Sequence, residues 1–250
     1  MLKLNLNKKE AAERVRFVMG TLCSIEAPGA PFAAVTAAFE EIERWERILS
    51  RFQEDSEVSE LNRAAGRGPR RVSADLFVAV ARALRYARET DGLFEPAAGW
   101  RGIELDAAVR DIALPEGASL DFGGFGKGFA LDCAARVLKA SGVGAALLNF
   151  GGQVLAVGAP EGSDGWLVSV PGAPGPLSLR DASVAVSADS ERPGHIRSPL
   201  DGLPVRRLGS AAAVCATATE ADAWSTPLFI LGRSHPSFRG RSYFATGGRS

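Results

Sequence analysis

The stretch Asp121-Phe-Gly-Gly-Phe-Gly-Lys-Gly-Phe-Ala-Leu-Asp132 combines a glycine-dense turn, one cation and the start of an amphipathic segment. Its four glycines allow positive φ angles and a close approach of the backbone to a ligand. Beyond the turn, Cys133, Val137 and Leu138 recur at helical spacing, which predicts a helix that begins inside the stretch. Its first amides, its dipole and Lys127 would face one point. The pattern predicts either an anion site or a tight strand-to-helix turn packed under a loop.

Two familiar phosphate-binding motifs do not fit this stretch. A Walker loop needs a hydroxyl after its Gly-Lys pair, but Gly128 follows Lys127, and Asp121 occupies the position of the first glycine. The dinucleotide fingerprint needs a third glycine where this sequence has Phe129. The stretch is therefore neither a kinase nor a Rossmann signature.

Composition limits the class of protein. The 250 residues suffice for one large domain or two intimately packed lobes, and 29 basic residues balance 29 acidic ones, which argues against a nucleic-acid partner. The three cysteines, Cys23, Cys133 and Cys215, are far apart, which predicts free thiols, and with two histidines a zinc site is not expected. The amino terminus lacks an apolar signal core, so we expect a cytoplasmic protein without a membrane anchor.

The order of predicted elements indicates the fold class. Apolar residues at spacings of three and four predict helices over 31–50 and 74–89. Strands are predicted at 15–27, 145–150, 154–157, 166–170, 183–187 and 213–216, with a surface hairpin loop at 171–176. Helices early and short strands late favour an α+β fold, with mixed or antiparallel sheets and packed helices, over regular βαβ alternation.

A second group of polar residues lies at 219–226. Thr219 is predicted as a helix N-cap, with Asp222 three residues later in an approximate capping box. Asp222 and Thr226 are four residues apart and project from one helix face, where a carboxylate and a hydroxyl suit magnesium. The alternative is that Asp222 caps the helix and Thr226 bonds back to a carbonyl. Pro227 predicts a kink beside the pair.

Taken together, the sequence resembles the FAD:protein FMN transferases, the ApbE-type flavin transferases, in collinear segments over most of its length. The matching segments are Met-Gly-Thr at 19–21, Ser-Arg-Phe and Ser-Glu-Val-Ser-Glu-Leu-Asn within 49–63, Phe-Glu-Pro-Ala at 94–97, the glycine-rich stretch at 121–132, Asn-Phe-Gly-Gly at 149–152, His-Ile-Arg-Ser-Pro at 195–199 with Asp-Gly at 201–202, and Ala-Asp-Ala-Trp-Ser-Thr-Pro-Leu-Phe-Ile-Leu-Gly at 221–232.

The resemblance implies a single flavin transferase-like domain over 1–250 with an ApbE-like, T-fold-related architecture. It also implies an enzyme that cleaves FAD with Mg²⁺, transfers FMN to a Ser or Thr hydroxyl of an acceptor protein and releases AMP. By position, Asp222, Thr226 and the backbone carbonyl of Gly126 would hold the metal. The residues that would line the FAD site are Met19, Phe52, Glu95, Pro96, Ala97, Gly123, Lys127, His195 and Ile196.

Three residues are candidates for the chemistry. Lys127, with the helix amides, would neutralise the diphosphate and the charge on departing AMP. His195 or Asp132 would take the proton of the acceptor hydroxyl. His195 could equally be a solvated loop histidine, and Asp132 a helix-surface carboxylate or the ion-pair partner of Lys127. Phe52 either stacks on a ring of the cofactor or belongs to the core.

Several positions depart from the family pattern on which these roles depend. Glu95 stands for Asp, Ala97 for Thr, Gly126 for Ala, Ser198 for Asp and Pro227 for Ala. FAD binding is therefore a safer expectation than FMN transfer. Two alternatives stay open: an FAD pyrophosphatase that yields FMN and AMP, and a non-catalytic FAD-binding paralogue.

Overall fold

The computed structural model describes residues 3–4, 13–188, 196–205 and 207–246. The helices within these residues are α1 (Phe32–Leu49), α2 (Glu57–Arg63), α3 (Ala74–Glu89), α4 (Gly126–Ala140) and α5 (Ala218–Leu231), with a 3₁₀ turn at Trp100–Gly102. The strands are β1 (Lys3–Leu4), β2 (Glu13–Val18), β3 (Thr21–Glu26), β4 (Arg70–Arg71), β5 (Glu104–Asp106), β6 (Asp111–Ala113), β7 (Ala146–Phe150), β8 (Gln153–Val157), β9 (Trp166–Ser169), β10 (Leu177–Leu179), β11 (Ala182–Ala188), β12 (Gly209–Cys215) and β13 (Arg241–Thr246).

A seven-stranded sheet with the order β13-β12-β11-β8-β7-β3-β2 forms the centre of the fold. Two smaller sheets have the orders β1-β9-β10 and β4-β6-β5. Every strand pair in the described part of the chain is antiparallel. The predicted α+β class is confirmed, in its antiparallel form.

The seven-stranded sheet buries apolar side chains on both faces, as the alternation along β7 illustrates. Leu148 belongs to the cluster beneath the helices, whereas its neighbour Leu147 packs with Trp166 and Val168 of β9 on the opposite face. Successive residues of a strand point to opposite faces, so a strand between two layers must be apolar at nearly every position. The helical layer carries the candidate site.

The helical layer is built from amphipathic helices whose bounds match the sequence pattern. Helix α1 begins one residue after the predicted start at 31, and α3 has the predicted bounds 74–89. Helix α1 packs against α4, where the rings of Trp45 and Phe129 meet edge to face with centroids 4.7 Å apart. Helix α4 in turn packs against α5.

Two short hairpin turns lie side by side at one end of the sheet. Met19 and Gly20 join β2 to β3 with φ angles of 46° and 75°, and Gly151 and Gly152 join β7 to β8 with φ angles of 53° and 86°. Positive φ at both central residues is the geometry of a type I′ hairpin. A Cβ on Gly151 would lie 2.7 Å from Cγ2 of Thr21, so the two turns are in contact. The strands predicted at 145–150 and 154–157 are thus joined by a tight two-residue turn at 151–152.

Cys23, Cys133 and Cys215 are free and buried, as predicted. Burial raises the pKa of Cys133 to about 11 and that of Cys23 to about 12, so these thiols stay protonated at neutral pH. Among the described residues, no helix combines the length and the apolar character needed to cross a bilayer.

Candidate active site

Helix α4 begins at Gly126, inside the glycine-rich turn, as the sequence predicts. Its N-cap residue, Phe125, provides no side-chain hydrogen bond to the first helical turn. The amides at the start of a helix lack intrahelical acceptors and must find other partners. The amide of Gly128 finds one on α5, where it donates to Oδ2 of Asp222 at 2.9 Å. The glycine-rich turn and the second polar group therefore lie together.

Asp222 is a buried carboxylate that lacks a full counter-charge. Its side chain is 7 % exposed, and burial raises its pKa above the ordinary value, while the charge of Lys127 and the hydrogen bond from Gly128 act in the opposite direction. The charge of nearby Asp132 raises the pKa further. A cation at this point would stabilise the ionised form of Asp222.

The two helices touch through their backbones at Gly128. A Cβ at this position would lie 2.3 Å from the carbonyl oxygen of Ala218 and 2.8 Å from Cβ of Asp222. No side chain fits between the helices here, so glycine is required for this approach. The contact fixes the distance between the start of α4 and the first turns of α5.

Thr226 lies one helical turn after Asp222, and its hydroxyl is part of a cluster of three hydroxyl side chains. Its Oγ1 lies 3.0 Å from Oγ of Ser187 on β11, and Ser187 also donates to Oγ of Ser225 at 2.9 Å. Ser187 was not predicted as a site residue. The sequence feature that could have indicated it is a polar residue near the end of an apolar strand. Pro227 does not end the helix, which continues to Leu231.

The donor set fits magnesium. Asp222 and Thr226 offer hard oxygens, and Gly126 lies two residues before the amide that binds Asp222. Within 3–4, 13–188, 196–205 and 207–246, no three or more His, Cys, Asp or Glu side chains cluster as metal ligands. Magnesium commonly uses one or two carboxylates plus substrate phosphates, whereas zinc needs a richer set of protein ligands.

The predicted capping box of α5 is wrong. Thr217 is the N-cap, and its side chain accepts a hydrogen bond from the amide of Glu220 at 3.2 Å, whereas Thr219 lies inside the helix. Thr217–Glu220 and Thr219–Asp222 have the same spacing, so the sequence alone does not separate them. The tertiary contact does, because the Thr219 hydroxyl donates to Asp132.

Asp132 contacts the amino-terminal end of α5 with both carboxylate oxygens. Oδ1 accepts from the amide of Ala218 at 2.8 Å, and Oδ2 accepts from the amide of Thr219 at 2.9 Å and from its hydroxyl. The ammonium group of Lys127 instead donates to the carbonyl of Gly123 at 3.2 Å. Asp132 therefore adopts neither of its alternative roles, a free surface carboxylate or the partner of Lys127.

Asp121 joins two of the predicted flavin segments to the glycine-rich turn. Its amide donates to the carbonyl of Pro96 at 2.8 Å, and its carboxylate lies 3.2 Å from Nε of Arg51. The same carboxylate accepts from the amide of Gly123 at 2.8 Å. Phe52 beside Arg51 is 82 % exposed, so its interpretation as a core residue is wrong.

Helix α2 and the hydrogen bonds of its residue Asn62 were not predicted. Ser56 caps the helix by accepting from the amide of Ser59 at 3.0 Å, but seven residues are too few for a clear apolar period. Asn62 exchanges two hydrogen bonds with the backbone of Leu120, at 3.0 Å and 2.7 Å. The amide side chain thereby fixes the chain immediately before the glycine-rich turn.

The remaining predicted site residues differ in their surroundings. The amide of Met19, at the β2–β3 turn, donates to Oε1 of Glu46 on α1 at 2.7 Å. Ile196 is buried at 7 % exposure. His195 lies outside the described residues, so its role as base or loop histidine stays a prediction.

The Phe-Glu-Pro-Ala segment has one exposed and three buried members. Pro96 and Ala97 are buried, whereas the Glu95 side chain is exposed. Partial desolvation raises the pKa of Glu95, and the charge of Arg101 opposes that change. Together with Asp121 and Phe52, the segment forms an open border of the glycine-rich turn.

Comparison with known proteins agrees with this geometry. The model of the ApbE family matches residues 19–101 and 96–238. The FAD:protein FMN transferase of Treponema pallidum is 28 % identical over 284 residues, covering 88 % of this chain and 78 % of its own. The ApbE protein of Thermotoga maritima superposes with a TM-score of 0.86 at 22 % identity, covering 95 % of this chain and 97 % of its own. The flavinyl transferase ApbE of Pseudomonas stutzeri gives 0.83 at 19 % identity, covering 98 % and 94 %. The resemblance read from the sequence is confirmed, and the chain belongs to the ApbE family.

Proposed function

We propose that this protein is a magnesium-dependent FAD:protein FMN transferase that moves FMN from FAD to a Ser or Thr hydroxyl of an acceptor protein and releases AMP. The hydrogen bond of 2.9 Å between the Gly128 amide and Asp222 carries the proposal, because it joins an anion-binding helix start to a hard-oxygen pair. The names of the matched relatives support the same activity.

The phosphate side of the site is assigned to α4 and α5. Asp222, Thr226 and the carbonyl of Gly126 would hold Mg²⁺, which when bound neutralises charge on the phosphoryl oxygens. Lys127, beside the positive end of the α4 dipole, would bind the diphosphate and stabilise the charge that develops on AMP. These groups are held in place before substrate binds, because the backbones of α4 and α5 meet at Gly128 with no room for a side chain. We call this the closed contact.

The transfer step is an in-line displacement at the FMN-side phosphorus. A bond forms from the acceptor hydroxyl oxygen to phosphorus, and the bond from phosphorus to the AMP oxygen breaks. Because both oxygens of Asp132 accept hydrogen bonds from α5, we assign the hydroxyl proton to His195.

The flavin side is assigned to the open border of the glycine-rich turn. The residues proposed to line it are Met19, Phe52, Glu95, Pro96, Ala97, Gly123, Lys127, His195 and Ile196. The exposed ring of Phe52 has Cζ of Arg51 4.7 Å from its centroid on one face, and its other face would stack on an aromatic ring of FAD. Asp121 supports this assignment by holding two of these segments beside the turn.

The solvent exposure of this border favours one alternative activity. Phe52 and Glu95 are both exposed, so water has access from the side on which an acceptor would bind. Water in place of the acceptor hydroxyl would make the protein an FAD pyrophosphatase that yields FMN and AMP.

One experiment separates these activities. The purified protein is incubated with FAD and Mg²⁺ and AMP is measured, and whole-cell protein from co-expression with candidate acceptors is examined for covalent flavin fluorescence. We expect AMP and a fluorescent acceptor band with the wild type, and a loss of both in Asp222→Ala of at least about 100-fold. AMP without a band indicates the pyrophosphatase, and bound FAD without AMP indicates a binding paralogue.

We also propose that residues 1–250 act as one domain in the cytoplasm. Both apolar clusters are built on the same seven-stranded sheet, which supports a single unit. The free, buried thiols support a reducing compartment.

A further inference from the structure

We propose that Asp132 is a positioning residue that holds the first turn of α5 and so sets the metal-binding side chains against the glycine-rich turn. The inference rests on the proposed function and assigns to Asp132 a role without contact to the reacting atoms.

The first observation concerns the amides at the start of α5. The first amides of a helix lack partners within the helix. Here the amides of Ala218 and Thr219 donate to Asp132, and that of Glu220 donates to the N-cap Thr217. One carboxylate, 86 residues earlier in the chain than Ala218, therefore satisfies two of these amides. Its negative charge is also favourable beside the positive end of the helix dipole.

The second observation is that the Ala218 peptide is held from its other side as well. Nε2 of Gln153, a side chain 2 % exposed on β8, donates to the Ala218 carbonyl at 2.6 Å. The same carbonyl oxygen lies so close to Gly128 that a Cβ there would be 2.3 Å from it. The first residue of α5 is thus bonded through its amide to α4 and through its carbonyl to the sheet.

The third observation is the register between the two helices. Asp132 lies four residues after Gly128 on α4, and Ala218 lies four residues before Asp222 on α5. Residues four apart share a helix face, so the bonds Gly128–Asp222 and Asp132–Ala218 are neighbouring connections across one interface. If the second connection is lost, α5 can shift, and Asp222 moves relative to Gly128.

The hydrogen bonds of Asp132 also favour a positioning role over a role in proton transfer. A general base needs an oxygen that the substrate proton can reach. Both oxygens of Asp132 accept from α5, and three donors surround them. Supporting residues of this kind act on metal affinity, and their loss commonly costs about 10- to 100-fold in binding.

Two variants test the role. Asp132→Asn keeps the shape of the side chain but removes one acceptor, and Thr219→Val removes only the hydroxyl that donates to Asp132. For each, Mg²⁺ binding is measured by calorimetry without FAD, and hydrogen exchange is followed at the amides of 218–222. AMP release is measured against Mg²⁺ concentration and pH.

We expect Asp132→Asn to raise the half-saturating Mg²⁺ concentration about 10-fold, and Thr219→Val to raise it about threefold. The turnover at saturating Mg²⁺ stays within about threefold, the pH profile keeps its shape, and the amides of 218–220 exchange faster. Turnover that falls about 100-fold at saturating Mg²⁺, with an altered pH profile and unchanged Mg²⁺ binding, would overturn the inference in favour of a proton acceptor.

Unchanged Mg²⁺ binding and exchange in a folded Asp132→Asn would overturn it as well. If Asp132→Asn does not fold, Thr219→Val retains the carboxylate and decides by the same measurements. If the wild type releases no AMP, the proposed function fails, whereas calorimetry and hydrogen exchange still decide the role of Asp132.

Discussion

The contact between α4 and α5 differs sharply from the flavin border of the same site. At the contact, Gly128 leaves no room for a Cβ and Asp222 is 7 % exposed. At the border, Phe52 is 82 % exposed, and the Glu95 side chain is exposed as well. The difference indicates that the groups proposed for the diphosphate are held by tight packing, while the side proposed for flavin and acceptor is exposed to solvent.

The departures from the family pattern lie on both sides of this division. Glu95 is exposed and Ser198 is half-buried, whereas Ala97 is buried beside Glu95. At the closed contact, Gly126 stands for Ala where a backbone carbonyl is the proposed ligand, and Pro227 stands for Ala inside a helix that continues. The two changes at the contact therefore leave both helices of the proposed metal site in place.

The largest effect is expected from Gly128→Ala. The added Cβ would lie 2.3 Å from the Ala218 carbonyl, so α5 must move or the protein unfolds. Alanine is otherwise favoured over glycine in a helix by about 1 kcal/mol, so a loss of stability must come from the contact. We expect a loss of about 3 kcal/mol or more, measured by denaturant unfolding, together with a loss of Mg²⁺-dependent AMP release.

Gly124→Ala is the matched control in the same turn. A Cβ at Gly124 would meet the ring of Phe94 at 3.7 Å, an ordinary contact. Its free energy of unfolding should stay within about 0.5 kcal/mol of the wild type. Equal losses in the two variants would show that the turn, and not the helix contact, is the sensitive element.

The second largest effect is expected from Asp222→Asn, which should stabilise the metal-free protein but abolish its stabilisation by Mg²⁺. Burial raises the pKa of Asp222, so the ionised form is disfavoured in the metal-free protein, and the neutral amide should raise its melting temperature. Magnesium at about a hundred times its Kd stabilises the wild type by about 2.7 kcal/mol, and the variant should lose this gain. Thermal unfolding with EDTA and with Mg²⁺ measures both changes. A variant that keeps the wild-type gain in Mg²⁺ would show that Asp222 is not a ligand.

The closed contact also shows which features a sequence can reveal. Helix α3 was predicted with its observed bounds because sixteen residues give a clear apolar period. The start of α4 and its proximity to Asp222 followed from a glycine-rich turn and from the family resemblance. Local pattern and chemistry were enough for these elements.

The features that were missed depend on distant partners. The hydrogen bonds of Asp132 and of Asn62 join residues 86 and 58 positions apart, and no local pattern encodes either pair. The N-cap of α5 was misplaced because Thr217 and Thr219 offer the same local spacing. Tertiary contacts determine which of two locally equivalent residues becomes the N-cap and which distant residues form hydrogen bonds.

The third effect concerns the open border and is smaller. Phe52→Ala should weaken FAD binding about 2- to 12-fold, because one aromatic stacking contact contributes about 0.5–1.5 kcal/mol. Phe32 is the control, since it is also exposed, at 72 %, and also lies under an arginine, Arg14 at 3.3 Å. Flavin fluorescence titration measures both variants. Equal affinities for FAD in Phe52→Ala and Phe32→Ala would remove Phe52 from the flavin site.

The smallest effect is expected at the far end of α4, where Asp181 lies 2.9 Å from Nζ of Lys139. The Lys139 hydrogen bond, followed by that from the Gly158 amide, holds the pKa of Asp181 below its ordinary value. A lowered pKa contributes stability above the unfolded pKa of about 3.9, and this stability is lost as the pH falls through the folded pKa. The pair is exposed, so Asp181→Asn should cost only about 0.2–1 kcal/mol at pH 7, and the difference from the wild type should vanish in acid.

Asparagine tolerates the φ of 46° that Asp181 adopts, so the substitution adds no backbone strain. Denaturant unfolding at several pH values measures the change, and the Mg²⁺ dependence of AMP release should equal that of the wild type. If Asp181→Asn instead shifts the Mg²⁺ dependence as Asp132→Asn does, α4 transmits strain along its whole length. The closed contact would then extend beyond the first turns of α4 and α5, and Asp132 would not be a special point of attachment between them.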